Sequence, residues 1–277
     1  MNQSVILNFS KLSKSLLLIP LFLIILIIVY LFTQDALSIE QYISIQKDLF
    51  YIINQNLGQY PTFQYNLTQI GDCLIFFALV SVFFIVTPKL WEALLSASLI
   101  SLIFSSTLKK IFAIPRPAAA LDIEQCIIAG KILKGHNSLP SGHSITTFTI
   151  LTVLLFAFMP QLKKLKFWWI LAVLTIGFVI VFSRVGVGAH YPLDVICGSI
   201  IGFLSGLLGI FFNQKYPIWK WINEQKYYPI FMLLFLVSGI LIIQKLTKEN
   251  LMIYYVALAT LGYTLYKITT VYVKKRN

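Results

Sequence analysis

The sequence predicts an all-α membrane protein, a polytopic helix bundle of about eight spans. Three observations carry this expectation. The chain has 277 residues and is 58% hydrophobic. Only 12% of its residues are charged, about half the roughly 25% of soluble globular domains. Its mean hydropathy is +0.83. The apolar residues come in continuous runs and not in alternation, which favours helices over a barrel.

The expected spans lie near 15–33, 67–87, 92–108, 144–160, 167–183, 194–212, 229–244 and 251–271. Each approaches the roughly 20 residues needed to cross a hydrocarbon core. The first run, Leu16 to Phe32, follows Lys11 and Lys14 in the manner of a signal peptide. No small-residue cleavage site closes it, so a retained first helix is expected. The long segment 34–66 carries Tyr42, Tyr51, Tyr60 and Phe63. Part of it is expected to lie on the membrane surface as a helix. No repeat or linker divides the chain.

The net charge is +12. No basic stripe interleaves with aromatics, so nucleic acid is not an expected partner. The basic residues instead sit in short loops, where they set orientation. With the N-terminus inside, Lys11, Lys14, Lys89, Lys163, Lys164, Lys166, Lys215, Lys220, Lys226, Lys274, Lys275 and Arg276 are cytoplasmic. Lys47, Lys109, Lys110, Arg116, Lys131, Lys134, Arg184, Lys245 and Lys248 fall outside. Setting aside Lys109, Arg116 and Arg184, which have another explanation, leaves a clear positive-inside bias. Both termini are then cytoplasmic. The five tryptophans, Trp91, Trp168, Trp169, Trp219 and Trp221, are expected at cytoplasmic helix ends. Cys73 and Cys197 lie in apolar runs and are expected to pack there. With Cys126 they give neither a metal-ligand spacing nor a disulfide framework.

Three clusters carry chemistry: KKIFAIPRP from Lys109 to Pro117, PSGH from Pro140 to His143, and SRVGVGAHYPLD from Ser183 to Asp194. Loop charge alone places all three at outer helix ends. Arginine at a membrane boundary is costly unless paired or hydrated, so Arg116 and Arg184 call for a function. With Lys109 they make a positive field, and guanidinium groups match phosphate oxygens with forked donors. Ser141 and Gly142 precede a helix expected from about Ser144, and such a helix N-terminus is an anion site. His190 and Asp194 are spaced i, i+4. With a helix starting near Tyr191 and Pro192 in its first turn, they can face each other. The carboxylate would fix the imidazole tautomer and leave the other nitrogen free to attack. His143 supplies a second imidazole from another helix end. An attacking histidine and a separate acid suffice for phosphoryl transfer.

These motifs resemble the type 2 phosphatidic acid phosphatase (PAP2) family, which is related to vanadium haloperoxidases. The family pattern is Lys, six residues, Arg-Pro; Pro-Ser-Gly-His; and Ser-Arg, five residues, His, three residues, Asp. Lys109 with Arg116-Pro117, Pro140 to His143, and Ser183-Arg184 with His190 and Asp194 match every fixed position. The resemblance implies a six-helix membrane core over 1–227, to which 228–277 adds two C-terminal helices within the same membrane domain. It implies His190 as a nucleophile forming a phosphohistidine, Asp194 as its support and His143 as proton donor to the leaving oxygen. Lys109, Arg116, Ser141, Gly142 and Arg184 would hold the phosphoryl oxygens, with no metal or cofactor. The implied setting is the bacterial cytoplasmic (inner) membrane, with the site periplasmic or extracellular. The implied substrate is a phospholipid, polyprenyl or lipid A phosphate: undecaprenyl diphosphate, phosphatidylglycerol phosphate, phosphatidate or lipid A.

Two other functions share these residues. A phosphotransferase would pass the phosphate to a second lipid. A non-catalytic lipid-phosphate binder or transporter would need the cations but not both histidines. Some residues stay open at this level. Asp72 either pairs with a motif cation or caps a helix, the second being favoured. His136 either contacts substrate or is a solvated loop residue. Lys131 and Lys134 either attract an anionic head group or are loop charges.

Overall fold

The computed structural model describes residues 1–274, and among these there is helix and no strand. The helices are α1 (Asn2–Ser10), α2 (Leu18–Thr33), α3 (Ile39–Gly58), α4 (Pro61–Ile70), α5 (Cys73–Val80) and α6 (Pro88–Phe112). They continue with α7 (Pro117–Ala120), α8 (Gly142–Ala157), α9 (Lys163–Gly186), α10 (Pro192–Lys215), α11 (Tyr228–Lys248) and α12 (Met252–Lys274). The all-α membrane bundle expected from composition is therefore present. Residues 275–277, to which the sequence assigns two cytoplasmic charges, lie outside the described residues.

The number of spans differs from the sequence reading. Among the described residues, five helical stretches are long and apolar enough to cross a membrane: 14–33, 88–120, 163–186, 192–215 and 225–248. The run read as one span at 67–87 is broken. Its two pieces, α4 and the helix that starts at Cys73, are bent by 69°. The cause is local: Asp72 Oδ1 accepts from the backbone N–H groups of Leu74 and Ile75, at 3.0 and 3.4 Å, and starts a new helix. α8 spans only 16 residues. α12 is long, but Tyr254, Tyr255, Tyr263, Tyr266 and Lys267 leave it less apolar than the five spans.

The centre of the bundle is the α8–α10 pair, with α6 against both. Gly198, Gly202 and Gly206 form a small-residue stripe at i, i+4 spacing on α10. A Cβ at Gly198 would sit 2.6 Å from the Ser141 carbonyl oxygen, and one at Gly202 would sit 2.5 Å from that of Ile145. Backbone thus lies against backbone, as small-xxx-small stripes permit in membranes. Gly202→Leu would force these helices apart. We expect a Tm in detergent lower by at least about 5 °C, because overpacking of this kind costs roughly 1–3 kcal/mol or more. An unchanged melting curve would contradict this packing.

Outward faces of α2, α9 and α11 carry exposed Leu, Ile, Val and Phe, as lipid-facing helices do. α11 and α12 pack on each other and against α5. Not every expectation about single residues holds. Trp91 is buried, ringed by Phe77, Phe84 and Phe235, and is not an interfacial anchor. Cys73 is exposed where packing was expected, because it opens α5 beside a cavity.

The segment 34–66 does form a helix, α3, but its inner face is not merely apolar. Tyr42, Gln46, Phe50, Asn54 and Gly58 are buried at successive i+4 positions. This stripe lies against α9 and α10 at the ends that bear the third motif. Asn54 Nδ2 donates to the carbonyls of Val185 and Gly186 at the end of α9, at 2.9 and 3.2 Å. Gln46 Oε1 accepts from Leu193 N–H in the first turn of α10, at 3.0 Å. α3 thus supplies partners for helix-end groups that would otherwise be orphaned.

Candidate active site

Backbone hydrogen bonds stitch the three motifs together. α6 ends at Ala113, which adopts a left-handed φ of 47°. Pro115 follows and disfavours further helix. The chain then turns back, and Arg116 N–H donates to Gly135 O at 3.0 Å while Ser138 N–H donates to Ile114 O at 2.9 Å. The first motif is thereby paired with the loop that leads into the second. Ser141 N–H donates to Asp194 O at 3.0 Å, which ties the second motif to the third. Ser141 Oγ caps α8 by accepting from Ser144 N–H at 3.4 Å. α10 begins at Pro192 with Tyr191 as its cap, as the spacing requires.

His190 and Asp194 face each other, with Nδ1 3.4 Å from Oδ2. Both are buried. The carboxylate has closer partners than the imidazole. Ser138 Oγ donates to Oδ2 at 2.6 Å, Tyr42 OH to Oδ1 at 2.8 Å and Tyr191 N–H to Oδ2 at 2.9 Å. Ser138 Oγ also lies 3.4 Å from His190 Nδ1. On the other side of the ring, Nε2 is 3.3 Å from Arg116 Nη1. Arginine is a donor only, so Nε2 accepts and the proton belongs on Nδ1, toward Asp194. Burial first, then the Arg116 guanidinium and the other cations, hold the His190 imidazole well below its ordinary pKa. This favours the neutral ring, whose Nε2 lone pair faces Arg116.

The cations converge on the same place. Arg116 Nε donates to Asn137 Oδ1 at 2.8 Å, and Nη1 reaches Ala189 O at 3.2 Å. Arg184 Nη1 donates to Thr68 Oγ1 at 2.8 Å, while its buried Nε has no protein partner. A Cβ at Gly142 would lie 3.3 Å from Lys109 Nζ, so glycine there leaves room for the ammonium over the first turn of α8. His143 and Arg184 line one cavity of about 180 Å³ with Ala189, Tyr65 and Lys131. A second cavity, of about 440 Å³, starts at Gly142 and His143 and runs between α6 and α8 to Trp219. Every residue that the motifs nominated is thus gathered around one site.

Four contributors were not anticipated: Tyr42, Ser138, Thr68 and Asn137. Ser138 and Asn137 had a readable signal, as polar neighbours just before PSGH. Tyr42 and Thr68 had none, because their partners lie 152 and 116 residues away. Of the open residues, Asp72 caps α5 and pairs with Lys245 of α11 at 2.7 Å, and not with a motif cation. His136 is exposed, in a shallow cavity shared with Lys109 and Asn137. Lys131 borders the His143–Arg184 cavity, whereas Lys134 is exposed in the loop.

Fold and site together define a helical membrane protein with a buried, cation-lined histidine centre. Residues 89–220 match the model of the PAP2 superfamily. The bacitracin transport permease protein BcrC of Bacillus licheniformis is 41% identical over 71 residues, 26% of this chain and 31% of its own length. An undecaprenyl-diphosphatase of Sulfolobus acidocaldarius is 36% identical over 83 residues, 30% of this chain and 37% of its own length. The matched regions thus span about a third of these two relatives. The crystal structure of Aquifex aeolicus LpxE aligns with a TM-score of 0.50 and 27% identity, over 60% of this chain and 95% of that one.

Proposed function

We propose that this chain is a membrane lipid phosphate phosphatase working through a phosphohistidine, with its site at the periplasmic or extracellular face of a bacterial cytoplasmic membrane. The observation that carries the reading is the His190 ring, with Nδ1 toward Asp194 and Nε2 among cations that match phosphoryl oxygens. Nε2 attacks phosphorus, and the bond from phosphorus to the ester or anhydride oxygen breaks. His143 gives its proton to that leaving oxygen. Asp194 stabilises the positive charge that appears on His190. Water, giving a proton back to His143, then attacks the phosphohistidine, releases inorganic phosphate and restores the free ring. Lys109, Arg116, Arg184 and the first turn of α8 at Ser141 and Gly142 stabilise the oxygens throughout. Arg116 would leave Nε2 when a phosphoryl group arrives, since charged oxygens are the stronger partner.

The lipid part of the reading rests on the spans around the site and on one relative named for undecaprenyl diphosphate. We read 1–227 as the catalytic core and 228–277 as an addition to it. The test is release of inorganic phosphate by the purified chain in detergent across a panel of lipid mono- and diphosphates. Release from a single lipid without an acceptor supports hydrolysis. Turnover only when a second lipid is added would make it a phosphotransferase, and no turnover on any lipid would count against an enzyme.

The lowered His190 pKa has a kinetic consequence. The nucleophile is active when unprotonated. A pKa below the ordinary value of about 6.5 keeps it so as the pH falls. The acid limb of kcat/KM, which reports the free enzyme, is expected below that value. A limb at or above it, matched by an imidazole NMR titration that is absent from a His190 variant, would contradict the geometry.

A further inference from the structure

The C-terminal pair α11–α12 brings one cation to the site. Gly71 packs directly on His143: a Cβ there would lie 3.1 Å from that of His143 and 3.0 Å from Thr147 Oγ1. Asp72, the next residue, borders both the His143–Arg184 cavity and the cavity that runs down to Trp219. Its Oδ1 is spent on capping α5, and its Oδ2 holds Lys245 Nζ at 2.7 Å. The pair is not sealed, since the Lys245 side chain is 35% and that of Asp72 24% exposed.

In-line displacement gives this location a meaning. The nucleophile approaches from the His190 side, so the leaving oxygen lies on the His143 side. Whatever remains attached to that oxygen must pass His143 toward Gly71 and Asp72. In a prenyl monophosphate or a phosphatidate that group is uncharged, a prenol or a diacylglycerol. In a lipid diphosphate it is a second phosphate, a charge that needs a cation at this depth. The motif cations serve the transferred phosphoryl group, and Lys245 stands where the other one would be.

We infer that Lys245 is a specificity residue for lipid diphosphates: held by Asp72 at the junction of the two cavities beside His143, its ammonium binds the phosphate that departs with the lipid. This deepens the phosphatase reading and rests on it. A phosphate oxygen competes with Asp72 for the ammonium, and the carboxylate keeps its capping bonds on Oδ1.

The experiment compares farnesyl diphosphate with farnesyl monophosphate, using the purified full chain in detergent and steady-state phosphate release. Wild type is expected to show a KM at least tenfold lower for the diphosphate. Lys245→Gln is expected to raise KM for the diphosphate about tenfold, and at least fivefold more than for the monophosphate, with kcat within threefold. Lys245→Arg is expected to restore the preference. Equal effects on both substrates, or an effect on kcat alone, would make the Asp72–Lys245 pair a structural brace and overturn the inference. Absence of a diphosphate preference in wild type overturns it without any variant. Release from neither substrate by wild type would remove the phosphatase reading itself, an outcome distinct from loss of selectivity.

Discussion

His190→Ala is expected to lower phosphate release by about four orders of magnitude or more, as loss of a covalent nucleophile does. The protein should remain folded. His190 lies in the short connection between α9 and α10, and Asp194 does not depend on it for satisfaction. Ser138, Tyr42 and Tyr191 N–H already donate to the carboxylate at 2.6, 2.8 and 2.9 Å, whereas the imidazole is 3.4 Å away. Removing the ring therefore leaves a buried carboxylate with its three closest donors in place, and the usual cost of stranding a buried charge does not arise. Loss of activity with an unchanged Tm is the signature of chemistry. The check is paired: phosphate release on the best lipid of the panel, and thermal unfolding in the same detergent. Activity within tenfold of wild type would sink the phosphohistidine mechanism.

The arrangement around Asp194 also explains which parts of the molecule were legible in the chain. Motif residues are read from sequence because each motif is local: His190 and Asp194 share the start of α10, and Ser141 and Gly142 share the start of α8. Their mutual assembly depends on backbone bonds between loops, such as Arg116 N–H to Gly135 O, which no spacing encodes. Tyr42 is invisible for a stronger reason. Its helix reads as amphipathic and aromatic, which suits a membrane surface equally well. Only the third dimension sets its hydroxyl against a carboxylate 152 residues on.

The run at 67–87 is straight in the sequence reading and bent in the structure for the opposite reason. Averaging hydropathy over a window hides a two-residue break, and Gly71-Asp72 is such a break. Asp72 was rightly favoured as a helix cap, and that same cap is what divides the run and bends it. The stripe Gly198, Gly202, Gly206 is a signal that the sequence does carry. Its i, i+4 spacing in an apolar helix is the membrane signature of close helix contact, and here it brings the two histidine-bearing helix starts together.

His143 carries the second large effect. His143→Asn is expected to lower turnover of the best lipid phosphomonoester by roughly 10²–10⁴-fold, the usual contribution of a positioned acid. Asparagine is smaller and polar, so the contact with Gly71 survives. A fall in rate alone would not show proton donation, because the imidazole also borders the cavity lined by Arg184. The leaving group separates the two roles. A lipid alkoxide leaves poorly without a proton, whereas p-nitrophenolate leaves as the anion. If His143 protonates the leaving oxygen, the variant should lose less than tenfold in kcat/KM on p-nitrophenyl phosphate, which covers formation of the phosphohistidine only, while keeping its full deficit in kcat/KM on the lipid. If it only positions the phosphoryl group, both substrates should fall alike. The same comparison in His190→Ala should show no such split, since the nucleophile is needed whatever departs. A matching rescue in both variants would mean that p-nitrophenyl phosphate is turned over elsewhere, and would remove the assignment of His143 as the acid.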